Sequence, residues 1–286
     1  MHTDRHLTAV LALLAAVLPA ASIEREGSFD RTLTVSGPVE LDVNTRAGRI
    51  AVRAGQGGSV RIHGTIRPQN GRVGEDLTAR IRAIEQNPPI HQAGNAIRIN
   101  SIGEEEAGRR LSVSYEITVP AETRLRARTG SGGMAVEGIG GPADVKTGSG
   151  AVTVARVGGE VRAYTGSGHI EVDAVKGGLD AHTGSGGIAG AGIAGPIVAH
   201  TGSGGIKLEQ TAAAPVKAHT GSGGVTVRLP GQAGFDLRAH TGSGKVYCEQ
   251  AATVRAGAGR RELDAKLHGG GPLVEISTGS GSVRIE

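Results

Sequence analysis

The sequence has 286 residues, a formal net charge of +4, 49 glycines and one cysteine, and aromatic residues make up only 2% of it. The hydrophobic share of 38% excludes a wholly disordered chain, and a core without aromatics must consist of aliphatic side chains. So few rings argue against single-stranded nucleic acid as a partner, because such sites stack bases on aromatics. One cysteine permits no internal disulfide and no cysteine-based zinc site, so we predict no cofactor.

The first 22 residues have the features of a secretory signal. Arg5 precedes an apolar run over 7–18, and the small residues Ala20 and Ser22 follow it. The alternative, a membrane anchor, is disfavoured because about twelve apolar residues barely span a bilayer. We therefore predict cleavage after Ser22 and an exported chain, 23–286, that is periplasmic, on the cell surface or secreted, and that has no transmembrane segment.

A short repeat dominates the rest of the sequence. The tetrapeptide TGSG begins at Thr129, Thr147, Thr165, Thr183, Thr201, Thr220, Thr241 and Thr278. The first five of these positions are 18 residues apart, and a degenerate copy, TRAG, begins at Thr45. A fixed period of this length indicates stacked repeats rather than a conventional globule.

Each repeat contains two turn signals, TGSG and a Gly-Gly or Gly-Pro pair, separated by segments in which apolar residues alternate with period two. Two short strands and two turns per repeat predict an all-β, single-stranded β-solenoid (β-helix) with rungs of about 18 residues and TGSG corners. The repeated threonine falls on the inward parity, which predicts a buried hydroxyl ladder bonded to corner backbone. An outward threonine array, as in ice-binding solenoids, would expose Val, Leu and Ile. Cys248 shares an inward column and is predicted to be buried and inert.

Two segments depart from the repeat. The region 45–128 contains a non-repeat insertion with expected strands at 60–67, 96–102 and 111–119. Within it, Glu75–Gln86 has Leu77, Ile81 and Ile84 at helical spacing and acidic residues in its first turn, so we predict one short helix. The regular rungs over 129–286 are interrupted by a second insertion at 250–271. We predict one solenoid domain over 23–286.

These features resemble the bacterial DUF4097 family, whose members are labelled "putative adhesin". The resemblance extends over about 30–286. It is carried by PVELDVNTRAGRIAV, by YEITVP at Tyr115–Pro120, by the TGSGGI units and by the closing LVEISTGSGSVRIE. It implies an exported cell-envelope β-solenoid and provides no catalytic residues.

Outward parity gives one face a basic, histidine-rich character. The candidate anion-binding residues on it are Arg124, Arg126, Arg128, Lys146, Arg162, His182, His200, Lys217, His219, Arg238 and His240. Rungs about 4.8 Å apart would place four imidazoles in a row. A solvated polar column produced by repeat duplication is the plainer interpretation, and a histidine metal site is a further alternative.

The sequence gives less support to an enzymatic function than to binding. The TGSG units precede strands rather than helices and lack the glycine that a nucleophile elbow needs two residues before its serine. Glu171 and Asp173 could form an acid–base pair, but exposed carboxylates on a strand are usually only solvated. We therefore predict a non-enzymatic envelope protein with an adhesive or structural role, whose basic face contacts anionic glycans, lipid head groups or an envelope protein. An envelope stress component acting through a protein partner and a polysaccharide-active enzyme are the alternatives.

Overall fold

The structure is a computed structural model that describes residues 26–69, 75–102, 110–249, 252–254 and 261–286. The predicted signal over 1–22 lies outside these residues. The helix is α1 (Glu75–Gln86). The strands are β1 (Gly27–Thr34), β2 (Val39–Ala47), β3 (Ile50–Gly55), β4 (Ser59–Pro68), β5 (Ile90–Ala93), β6 (Ala96–Ile99), β7 (Leu111–Pro120), β8 (Thr123–Ser131), β9 (Met134–Glu137), β10 (Ala143–Thr147), β11 (Val152–Val157), β12 (Val161–Thr165), β13 (Ile170–Val175), β14 (Leu179–Thr183), β15 (Ile188–Ile193), β16 (Ile197–Ser203), β17 (Ile206–Gln210), β18 (Val216–Ser222), β19 (Val225–Arg228), β20 (Phe235–Ser243), β21 (Val246–Cys248), β22 (Ala252–Val254), β23 (Glu262–Leu267), β24 (Leu273–Ser280) and β25 (Val283–Ile285).

Successive strands of the repeat alternate between two sheets, as the two turns per rung predicted. Sheet A has the order β1-β4-β7-β3-β9-β11-β13-β15-β17-β19-β25-β21, and sheet B has the order β22-β23-β20-β24-β18-β16-β14-β12-β10-β8-β2-β6-β5. Most neighbours are parallel, and the inward aliphatic side chains of both sheets form one continuous core. The all-β solenoid prediction is confirmed.

The repeated threonines lie in register. In sheet B, Thr147 lies opposite Thr165, which is followed by Thr183 and Thr201 in successive parallel strands. All four are buried, and the Thr183 Oγ1 donates a hydrogen bond to the Gly168 carbonyl at 2.8 Å. The predicted hydroxyl ladder is therefore confirmed, and the outward threonine array is excluded.

The order of the last rungs in space differs from their order in the chain. The C-terminal strand β24 lies between β18 and β20, and β25 likewise lies between β19 and β21. The hairpin of β22 and β23 then adds antiparallel to β20. The chain therefore leaves one rung position open after β19 and fills it with its C-terminus.

The insertion completes the other end of the stack. In sheet A, β4 pairs antiparallel with both β1 and β7, while in sheet B the hairpin of β5 and β6 extends β2. The helix α1 has the predicted bounds, and Leu77, Ile81 and Ile84 are buried as expected. Arg31 donates to the carbonyls of Glu85 and Gln86 at the helix C-terminus.

Cys248 is half-buried rather than buried, so this prediction is wrong in part. The residue does occupy the predicted column, opposite Ile285. It lies on β21, which is the last strand of sheet A and has a described neighbouring strand on one side only. The inward assignment of Cys248 was therefore correct. Its burial is incomplete because its strand lies at the end of the sheet.

A corner of sheet A contains two residues in the left-handed backbone region. Arg156 and Ala174 both have φ of 54°, at a repeat position that glycine occupies in the adjacent rungs. A side chain in this conformation costs about 1–2 kcal/mol, which outweighs the extra chain entropy that glycine loses on folding. We expect Ala174→Gly to stabilise the protein by about 0.5–1 kcal/mol in urea unfolding. Ala155→Gly, at an ordinary φ, should destabilise it, and equal effects of the two changes would contradict the prediction.

Candidate functional site on the outward face of sheet B

One outward column of sheet B carries charges of alternating sign. Across the sheet, from β6 to β23, its members are Arg98, Asp42, Arg126, Asp144, Arg162, Asp180, Val198, Lys217, Glu275, Arg238 and Asp264. We call this column the charge ladder. The alternation holds throughout except at Val198, where an apolar side chain takes one place. Opposite charges facing each other across neighbouring strands favour this register.

The charge ladder contains several ion pairs. Arg126 lies 3.9 Å from Asp144 and 4.0 Å from Asp42, and Lys217 lies 3.5 Å from Glu275. Exposed pairs of this kind each contribute little to stability, but they balance the charge of the column. The positive charge that the sequence predicted for this face is therefore not found in the charge ladder, where cations and carboxylates are equal in number.

The neighbouring outward column is basic at one end and consists of rings in its middle. Arg128, Lys146, Tyr164, His182, His200 and His219 follow one another in register. We call the last four the ring column. Tyr164 stacks on His182 with centroids 5.0 Å apart and an interplanar angle of 16°, and His200 stacks on His219 at 4.9 Å and 15°. His182 and His200 are tilted by 33° at 5.8 Å. The ammonium of Lys146 lies 4.9 Å from the centre of the Tyr164 ring.

The predicted row of four imidazoles is wrong in one member. Because β24 is inserted between β18 and β20, Ser277 follows His219 in the column, and His240 lies one strand further on. His240 instead forms an ion-pair contact with Glu262, 3.2 Å away. Three imidazoles are therefore consecutive, and the fourth is separated from them by a serine.

The three consecutive imidazoles have different surroundings. Asp180 accepts hydrogen bonds from the Tyr164 hydroxyl at 2.6 Å and from His182 Nε2 at 2.7 Å. The Nδ1 of His219 lies 2.7 Å from the hydroxyl oxygen of Ser277. Neither ring nitrogen of His200 has a hydrogen-bond partner among the described residues. On β16, Val198 occupies the position that corresponds to Asp180 on β14, so His200 has no equivalent of the carboxylate that bonds to His182.

The surroundings of His200 disfavour its protonated form. Partial burial between its neighbours, together with repulsion from His219 and His182, lowers the pKa of His200 from its ordinary value of 6.5. Burial and the hydrogen bond to Asp180 raise the pKa of Tyr164 to about 12, so this hydroxyl remains a donor at physiological pH. Protonation of His200 is therefore disfavoured both by its partial burial and by the neighbouring imidazoles.

A groove of about 560 Å³ crosses the opposite end of this face. The hairpin of β5 and β6, which includes His91, forms its wall. Residues of β2, β8, β10 and β12 form its floor. Arg98 and Arg124 line it, and neither has an ion-pair partner within 4 Å among the described residues. Glu160, also in the lining, is occupied by a two-point contact with Arg162, with both N···O distances 3.1 Å.

All eleven predicted face residues point outward from sheet B, but the structure divides them into groups. Arg124, Arg126 and Arg162 line the groove; Arg128 and Lys146 lead into the ring column, which contains His182, His200 and His219; Lys217, Arg238 and His240 lie toward the other end. Sequence reasoning missed Arg98, because β6 belongs to the insertion rather than to the repeat. Its place in the alternating segment AIRI was the available signal.

Other features of the described residues concern metal binding, acid–base chemistry and membrane crossing. Within the described ranges, no three His, Cys, Asp or Glu side chains are grouped closely enough to hold a metal ion. Glu171 and Asp173 are both exposed on sheet A, away from the groove and the ring column. No helix in the part of the chain that the structure describes is long and apolar enough to cross a membrane.

Two sheets built from 18-residue rungs, with glycine corners and an internal threonine ladder, define a β-solenoid. The family model of Toastrack DUF4097 matches residues 91–286, more than half of the chain. The protein therefore belongs to the Toastrack DUF4097 family, as the sequence resemblance indicated.

Solved structures with low sequence identity are also similar to the chain. A "putative adhesin" from Bacteroides fragilis is 13% identical, with 91% of this chain and 97% of the other covered and a TM-score of 0.44. A "putative lipid binding protein" from Parabacteroides distasonis is 16% identical, with the same shares covered and a TM-score of 0.40. A comparison with curated proteins finds no match.

Proposed function

We propose that this protein is an exported, non-enzymatic binding scaffold whose outward face of sheet B binds an anionic partner. The apolar segment over 7–18 supports export, and one continuous core through the stack supports a single domain over 23–286. Anionic glycans, anionic lipid head groups and an acidic surface of an envelope protein all offer the required charge. The repeat supplies a long rigid surface rather than an enclosed pocket, which suits binding more than catalysis.

The observation that carries the proposal is the pair of arginines in the groove. Arg126 and Arg162 are held by carboxylates, whereas Arg98 and Arg124 have exposed guanidinium groups with no ion-pair partner in the described part of the chain. A guanidinium presents a rigid fork of donors that matches a carboxylate or a phosphate. Glu40 and Asp42 face Arg124 and Arg98 from the neighbouring strand, but neither carboxylate lies within ion-pair distance of them. The groove therefore offers two charge-assisted contacts to an anion without first breaking an ion pair.

The test replaces both groove arginines and compares the result with a distant arginine. Arg98→Gln with Arg124→Gln should weaken binding to polygalacturonate or to phosphatidylglycerol vesicles by about tenfold or more, because hydrogen bonds to charged groups contribute about 1.5–3 kcal/mol. Arg238→Gln, on the same face but at the other end of sheet B, is the matched control and should change binding by about twofold or less.

Binding would be measured by calorimetry at two salt concentrations and neutral pH. Affinity for the preferred probe should fall as salt rises, since the contacts are exposed. Equal losses of affinity in the double groove variant and in Arg238→Gln would contradict a binding site in the groove. Absence of salt-sensitive binding to every anionic probe would contradict the proposed function itself.

A further inference from the structure

Unlike the groove arginines, the ring column contains imidazoles, whose charge depends on pH. Tyr164 stacks on His182 and His200 stacks on His219, and the two pairs are tilted by 33° to each other, so neighbouring rings cover most of the ring faces in the column. Exposed faces would suit a sugar ring or a nucleobase, which bind by stacking. Exposed edges instead present ring nitrogens, which donate hydrogen bonds to anionic oxygens once the imidazoles are protonated.

We infer that the row from Arg128 to His219 is an acid-dependent binding strip for a linear anionic polysaccharide that runs across the strands, along the axis of the solenoid. The inference rests on the proposed function and extends it to a ligand class and a condition. The permanent cations of the strip are Arg128 and Lys146, whose side-chain nitrogens lie 3.7 to 3.9 Å from the carboxylates of Asp42 and Asp144. Protonated imidazoles at His182, His200 and His219 would extend the positive charge along consecutive strands.

The dimensions of the strip favour a polymer over a membrane. Six side chains at the strand spacing of about 4.8 Å span about 24 Å, and the row is a single side chain wide. The charge ladder beside it is balanced, so the positive charge forms a line rather than a patch. Over residues 124–222, all of which the structure describes, Val198 is the one large apolar side chain that is more than a third exposed. Stable membrane binding usually adds apolar insertion to a broad polybasic surface.

The charged groups around His200 explain why protonation of this residue should favour a bound anion. On β14 it faces His182 and Asp180, and on β18 it faces His219 and Lys217; its own strand contributes Val198. One strand further on each side, β12 presents Arg162 and Tyr164, while β24 presents Glu275 and Ser277. Asp180 is already shared by Tyr164 and His182, and Glu275 pairs with Lys217. A charged His200 therefore lacks a counter-ion, which a polysaccharide anion would provide.

The coupling between proton and polymer must be reciprocal. Because the unliganded surroundings oppose protonation of His200, the pKa of His200 should rise when polyanion binds, and polyanion affinity should rise as the ring is protonated. Observation of His200 by NMR should show titration below 6.5 in the free protein and at higher pH with polygalacturonate present. An unchanged titration on saturation with polymer would contradict the inference.

The direct test uses His200→Gln, with His240→Gln as the matched control. His240 lies on the same face but is separated from the stack by Ser277 and is paired with Glu262. Wild-type protein should bind polygalacturonate at least about tenfold more tightly at pH 5 than at pH 7.5. His200→Gln should lose about fivefold in affinity at pH 5 and nothing at pH 7.5, while His240→Gln should behave as wild type.

The remaining outcomes separate this inference from the proposed function. Dextran sulfate, whose charge does not change over this pH range, should show the same acid enhancement. Binding that needs Arg98 and Arg124 but does not depend on pH would overturn the acid-dependent strip and retain the groove. Acid enhancement with phosphatidylglycerol vesicles but not with either polymer would overturn the polysaccharide assignment. An enhancement as large in His200→Gln as in wild type would overturn the role of the ring column.

Discussion

Gly186→Ala is expected to destabilise the protein by about 3 kcal/mol or more, or to prevent folding. A Cβ at this TGSG glycine would lie 1.8 Å from the carbonyl oxygen of Gly168 in the preceding rung. The same contact recurs at Gly150 and Gly168. Because the obstacle is backbone held by the stack, it cannot move aside as a flexible side chain would. Neighbouring rungs would have to separate, and their corner hydrogen bonds would lengthen.

The matched control for this change is Gly205→Ala. A Cβ at Gly205 would meet the Gly224 carbonyl oxygen at 3.6 Å, which is ordinary van der Waals contact. We expect this variant to remain within about 1 kcal/mol of wild type in urea unfolding followed by circular dichroism. Similar losses in both variants would show that glycine is required at these corners for chain flexibility rather than for close approach.

Thr183→Val is expected to destabilise the protein by about 2–4 kcal/mol although it preserves shape. The Thr183 hydroxyl donates to the Gly168 carbonyl at 2.8 Å and accepts from the Gly186 amide at 3.1 Å. Valine fills the same space but leaves both backbone groups without this partner in a buried corner. The cost arises from desolvated polar groups, so it should be larger than the packing change alone.

Thr183→Ser provides the comparison because it keeps the hydroxyl and removes one methyl group. It should cost about 1 kcal/mol, the usual value for one buried methyl. The two variants would be compared by urea unfolding under identical conditions. A valine variant as stable as the serine variant would show that the ladder is maintained by packing and that its hydrogen bonds contribute little.

The local organisation of this protein was predictable from its sequence. Period-two alternation assigned Val152, Val154, Ile170 and Val172 to the core, and the structure buries all four. The repeated threonine and its glycine neighbours identified the corners, and helical spacing gave α1 its bounds. These features depend on residues within one rung or one turn of helix. Local sequence therefore contains the physical information that determines them.

The arrangement of the candidate binding face depended on contacts between distant segments. Arg98 joins the charge ladder because β6 pairs with β2, and Asp264 joins it because β23 adds to β20. Neither position belongs to a repeat unit, so no periodicity revealed it. Arg126, Asp144 and Arg162 recur at the 18-residue interval, but the sequence analysis predicted only a basic face and not this alternation of charge.

The sequence by itself determined the rung length, the inward and outward parity, the threonine ladder and the solenoid fold. The tertiary structure decided the order of the rungs, and with it the separation of His240 from His182, His200 and His219 and the exposure of Cys248. The reason is that every TGSG rung has nearly the same edge chemistry, so each can pair with any other. Placement of β24 between β18 and β20 follows from long-range closure of the stack, which no local pattern encodes.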